Sequence, residues 1–123
     1  MTDRLETGRA ILRQTMGDEY YEARASGRND FNGHYRALID GYCFGEGWAG
    51  GPLTPRDCSL LVITMLATTG RVPELRAHLR GALNNGCTPE EIRHAMTMVG
   101  IYAGIPAGVE GFRSAEIVLA EID

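Results

Sequence analysis

The chain has 123 residues, 44% apolar and 23% charged, with a formal net charge of −4 and no basic run. These values fit one globular domain over residues 1–123 and exclude a disordered or fibrous chain, while the acidic balance repels nucleic acid and anionic membrane surfaces, so neither is expected as a partner. All twelve basic residues are Arg, which excludes a Schiff-base lysine and leaves guanidinium groups as the strong cations for holding an anion.

No window approaches the roughly 18 apolar residues that span a bilayer, and the N-terminus lacks a basic segment followed by an apolar one, so a cytoplasmic location is expected. Cys43, Cys58 and Cys87 are odd in number and widely spaced. That pattern points to buried free thiols rather than to disulfides or a paired-thiol metal site.

In chain order, Leu5, Ile11, Leu12 and Met16 lie among charges and predict an amphipathic helix over residues 3–16, capped by Thr2 or Asp3 and ended by Gly17. A short helix is expected from Asp18 to Ala25, stopped by Ser26-Gly27. Asn29 and Asp30 then offer a new N-cap. From Phe31, the residues Phe31, Tyr35, Leu38, Ile39 and Tyr42 recur at helical spacing with His34 on the same stripe, which predicts that this stripe faces a buried surface.

The run Gly45-Glu46-Gly47-Trp48-Ala49-Gly50-Gly51-Pro52 is too glycine-rich for a regular helix and reads as a loop or broken helix end separating two halves. Thr54-Pro55-Arg56-Asp57 opens a helix through about Thr69. Gly70 breaks the chain, and Pro73 starts another helix with Leu75, His78, Leu79, Ala82 and Leu83, which Asn85-Gly86 ends. Thr88-Pro89-Glu90-Glu91 carries capping-box spacing into a helix with Ile92, Met96, Val99 and Tyr102. Gly104 and Pro106 interrupt it, and a last helix follows from about Ala107 to Glu121. No segment alternates as a strand would, so the class is all-α.

Several residues are candidates for chemistry. Glu46 stands two positions before the single Trp48, where an aromatic wall would desolvate a carboxyl group and move it toward general-acid range; the alternative is a solvated loop acid. His78 shares the face of Leu75 and Ala82 and is either a reactive imidazole or a core histidine bonded to backbone. His34 faces inward by the same spacing argument, so Glu46, His34 and His78 would converge if the two halves pack together. Arg56, at a helix start just beyond the Trp48 run, is a carboxylate clamp or an ordinary surface arginine. The histidines His34, His78 and His94 are scattered without ligand-pair spacing, and the glycine cluster lacks a following Lys-Ser/Thr. Neither a metal site nor a phosphate loop is expected.

Gly45-Glu46-x-Trp48, Leu53-Thr54-x-Arg56 and Ser59-Leu60-Leu61 resemble the middle of the carboxymuconolactone decarboxylase family. Glu74-Leu75-Arg76-x-His78, the run Ala82 to Ile92 and Tyr102-Ala103-Gly104-x-Pro106-Ala107 extend the likeness over nearly the whole chain. The resemblance implies an all-helical alkylhydroperoxidase D-like bundle of about six helices, assembled as homotrimers or homohexamers with pockets shared between subunits. The family's peroxidase branch uses a Cys-x-x-Cys pair; here the corresponding stretch reads Ile63-Thr64-Met65-Leu66, which favours the decarboxylase branch.

By that analogy the activity is cofactor-free decarboxylation of a small lactone or keto acid through an enolate, with an organic acid or ketone as substrate. Glu46 or His78 is the implied proton donor, Arg56 the carboxylate or oxyanion clamp and Trp48 the desolvating wall. Where close relatives of the namesake enzyme tend to show Arg, Glu and Gln, this chain carries Cys58, His94 and Met98, which suits a less acidic substrate. The rival expectations are an isomerase or dehydratase, a thiol-dependent antioxidant protein using Cys58 or Cys87, and a non-catalytic ligand-binding oligomer.

Overall fold

The computed structural model describes residues 3–122. Those residues form seven α-helices and one π-helical segment, with no strand among them, and the chain divides into two compact units, residues 1–53 and 54–123. The division falls at the end of the glycine-rich run.

In the first unit, α1 spans Arg4–Met16. The Asp3 carboxylate accepts the Glu6 amide at 2.9 Å and satisfies one of the otherwise unpaired first-turn donors. Thr2, the other expected cap, lies outside the described residues. Gly17, at φ 89°, ends the helix and leads directly into α2, Asp18–Ser26. The next helix starts later than the Asn29-Asp30 signal predicts. Asn29 Oδ1 accepts the amides of Phe31 and Asn32, closing a turn on which α3, Gly33–Ile39, begins.

The helix does not stop at the glycines. It continues from α3 as a π-helical segment, Asp40–Trp48, a wider winding found mostly as short insertions in helices. Glycine is what allows α1 to seat against it. A Cβ on Gly8 would stand 1.8 Å from the Asp40 carbonyl oxygen, and one on Gly45 2.2 Å from the Arg4 carbonyl oxygen, so the two backbones touch.

That contact also reverses an expectation. The aromatic stripe faces outward: Phe31 is 95% exposed and Tyr35 65%, and Leu38, Tyr42 and His34 are exposed with them. The face turned inward carries Asp40, Gly41 and Phe44. Close backbone approach selected the small-residue face, which a reading of apolar spacing alone passes over.

The buried Asp40 carboxylate is neutralised from two helices. Arg9 Nε donates to Oδ2 at 3.2 Å from α1, and Arg24 from α2 donates to Oδ2 at 3.3 Å while its Nη2 lies 2.8 Å from Oδ1. A carboxylate without exposed surface persists only with such partners.

In the second unit, α4 is Pro55–Thr68, α5 Val72–Asn84, α6 Pro89–Ala103 and α7 Ile105–Ala120. Thr54 accepts the Asp57 amide, and Thr88 with Glu91 forms the expected capping box. Ile63, Leu75, Leu79, Ile92, Met96, Val99 and Val118 form one buried core from all four helices. α7 begins at Ile105, ahead of the expected Ala107, because Pro106 occupies its first turn, where a missing N–H costs nothing. Gly100 and Gly108 bring α6 and α7 into near backbone contact, since a Cβ on Gly108 would lie 2.7 Å from Gly100 Cα.

Candidate functional site

In the first unit, the π-helical segment places Glu46 and Trp48 on a firm mount. The Trp48 ring stacks on that of buried Phe44, with centroids 5.4 Å apart and planes 25° apart. Glu46 is not enclosed as the aromatic-wall reading expects: within its unit the side chain is 55% exposed, and Arg4 Nη1 donates to its Oε1 at 2.6 Å. Arg4 escapes a sequence reading because 42 positions separate it from Glu46. His34, in the same unit, points outward instead of inward.

In the second unit, Arg56 opens α4, and its guanidinium pairs with Glu91 of α6 and lies 3.6 Å from Asp57. Two carboxylates therefore surround this one cation. Glu91 serves twice, since its other oxygen accepts the Thr88 amide in the capping box. The capping signal that located Glu91 in the sequence concealed its second role.

Glu91 also lines a hollow of about 350 Å³ between α4 and α6, with Leu61, Thr64, His94, Ala95 and Met98. His78, on α5, is half-buried, and burial pushes its pKa down to about 4. It is therefore a neutral imidazole at pH 7, a proton acceptor more readily than a donor.

The thiols are poorly set for nucleophilic work. Burial, reinforced by Asp57, pushes the Cys58 thiol up. Burial likewise raises Cys87, only partly offset by Arg56, and the Cys87 thiol donates to the Arg56 carbonyl at 3.6 Å. A raised thiol holds little thiolate at neutral pH.

The family model of the carboxymuconolactone decarboxylase family matches residues 34–116, from α3 into α7. The chain belongs to this family. It is similar to 4-carboxymuconolactone decarboxylase of Acinetobacter baylyi, with 31% identity over 119 residues, 97% of this chain and 89% of the relative. It is also similar to nitrosuccinic acid decarboxylase of Metarhizium robertsii, with 30% identity over 105 residues, 85% of this chain and 73% of the relative. Membership in the carboxymuconolactone decarboxylase family gives the three departures a structural setting. His94 and Met98 line the same hollow on α6 as Glu91, and Cys58 lies in the first turn of α4 beside Arg56 and Asp57.

Proposed function

We propose that the chain is a cofactor-independent decarboxylase of a small carboxylic acid, with 4-carboxymuconolactone as the first substrate to try. Family membership carries this reading, together with relatives named for decarboxylating two different acids. In the reaction the bond between carbon and the carboxylate breaks and carbon dioxide leaves. The bonding pair passes to an adjacent carbonyl-type acceptor as an enolate, and a general acid then protonates carbon.

Glu46 is the proposed proton donor in the liganded state, once bound substrate takes Arg4 from it; His78, which burial keeps neutral at pH 7, is not chosen. Supporting Glu46 are its accessibility and the stacked Trp48 on the same short segment. After each turnover its carboxylate regains a proton from water. Trp48 is proposed as the apolar neighbour of the reacting carbon and His34 as a substrate contact; for Arg56, in the second unit, the proposed role is that of an oxyanion clamp that gives up Glu91 when it acts.

The test is carbon dioxide release and ultraviolet change on incubating the purified protein separately with 4-carboxymuconolactone and nitrosuccinic acid. Glu46→Gln is expected to lower the rate by about 10²–10⁴-fold, the usual contribution of a general acid. His78→Ala is expected to keep the greater part of it. Release of no carbon dioxide from either acid by folded protein overturns the assignment.

We further propose that residues 1–123 act as one domain and self-associate as a cytoplasmic homotrimer or homohexamer. The matched span, 34–116, crosses the boundary between the two units. No helix among the described residues is long and apolar enough to cross a membrane. Ile101, Ile105, Val109 and Ile117 are exposed along a groove of about 640 Å³ between α6 and α7, an apolar surface of the kind that subunits cover. Light scattering on eluted protein checks this; a monomer at all concentrations sinks it.

A further inference from the structure

Arg4 crosses the π-helical segment where that segment has no side chains. A Cβ on Gly45 would lie 2.6 Å from Arg4 Cγ, and one on Gly41 3.4 Å from Arg4 Nε. These two glycines, four positions apart, form the floor under the Arg4 stem. The guanidinium thereby reaches Glu46, with Nη1 donating to Oε1 at 2.6 Å.

Four other cations of this unit have anchors of their own. Arg9 and Arg24 close on buried Asp40, Arg13 on Asp18 and Glu22, and Arg36 donates to the Arg24 carbonyl. Arg4 is the guanidinium placed on the residue read as the proton donor, and both side chains are about half-exposed, at 52% and 55%.

A general acid acts in its protonated form. Arg4 paired with Glu46 opposes that form, so the donor is set up only when another anion takes the guanidinium from it. A carboxylate from the ligand restores the balance, and the planar guanidinium fork, with five N–H donors, matches carboxylate geometry.

We propose that Arg4 is a substrate-binding residue whose guanidinium exchanges Glu46 for a substrate carboxylate, setting the substrate beside its proton donor. This rests on the reading of Glu46 as that donor. The carboxylate held is one that survives the reaction, because gripping the departing group would stabilise the charge that decarboxylation removes and so favour the ground state. With a two-carboxylate acid such as either test acid, one carboxylate stays on Arg4 and the other leaves as carbon dioxide, against the less acidic substrate expected from Cys58, His94 and Met98.

Calorimetric titration of the full chain with succinate, an unreactive diacid, tests the exchange. Arg4→Ala is expected to weaken succinate binding about tenfold to a hundredfold, the scale of a lost charge-assisted contact. Arg4→Gln, which keeps a stem over Gly41 and Gly45, should reproduce the loss, and Arg4→Lys should recover part of the affinity.

Glu46→Gln removes the competing carboxylate and should tighten binding several-fold. A purely structural ion pair predicts the reverse for that variant, with both partners' substitutions weakening binding together. Unchanged affinity in Arg4→Ala, weaker binding in Glu46→Gln, or no succinate binding by the native chain overturns the proposal. The underlying reading fails separately, if Glu46→Gln releases carbon dioxide from either test acid at the native rate.

Discussion

The carboxylate of Asp40, with no exposed surface, lies 2.8 Å from the guanidinium of Arg24. With Arg9 on its other side, this residue ties α1 and α2 to the start of the segment that carries Glu46 and Trp48. Asp40→Ala leaves two cations facing each other across a buried gap. It is expected to destabilise the fold by about 3–5 kcal/mol, the scale for removing one partner of a buried pair. Urea unfolding followed by circular dichroism measures it, and a native midpoint in the variant would show that the pair is not what holds the segment.

Backbone contact between α1 and the π-helical segment makes Gly8 intolerant of a single methyl group. Gly8→Ala would drive a carbon to 1.8 Å from the Asp40 carbonyl oxygen, so the helices must separate, at a cost of about 1–3 kcal/mol or more. Gly51→Ala is the matched control, since nothing lies within 4 Å of its added carbon. The expected outcome is a lower melting temperature for the first variant and an unchanged one for the second.

The half-buried His78 makes stability depend on pH in a definite direction. Its pKa falls from an ordinary 6.5 to about 4 in the folded chain, so between these values the unfolded chain binds more protons. Stability from this group is complete above about pH 6.5 and is lost as pH falls toward 4, by roughly 3 kcal/mol in all. His78→Leu should flatten that decline. Urea midpoints between pH 4 and 7 decide it, and a slope equally steep in the variant would place the effect on other groups.

Thiol reactivity separates the decarboxylase reading from the thiol-dependent one. Cys43 is exposed, whereas Cys58 and Cys87 are raised by burial. Iodoacetamide at pH 7 is expected to label Cys43 first and Cys87 last, as peptide mass spectrometry would record. Labelling confined to Cys43 should leave carbon dioxide release at its starting rate.

Much of the second unit was legible from local signals. Thr54 and Thr88 as caps, proline in the first turns, and Gly70 and Gly86 as stops are interactions within a few residues, and α4, α5 and α6 formed where they mark them. The run holding Glu46 and Trp48 was expected as a loop or broken helix end, whereas the helix continues through both residues in a π winding.

What the amino-acid order by itself determined is the all-α class, the helix boundaries set by caps and stops, and membership in a family through motifs spread along the chain. Only the tertiary structure decided that the Phe31–Tyr42 stripe and His34 face outward, that Arg4 meets Glu46 and that Glu91 meets Arg56. Caps and periodicity are short-range effects that neighbouring residues encode. Which face of a helix is buried depends instead on how closely a second backbone can approach, and charge pairing depends on groups that the fold brings together from distant positions.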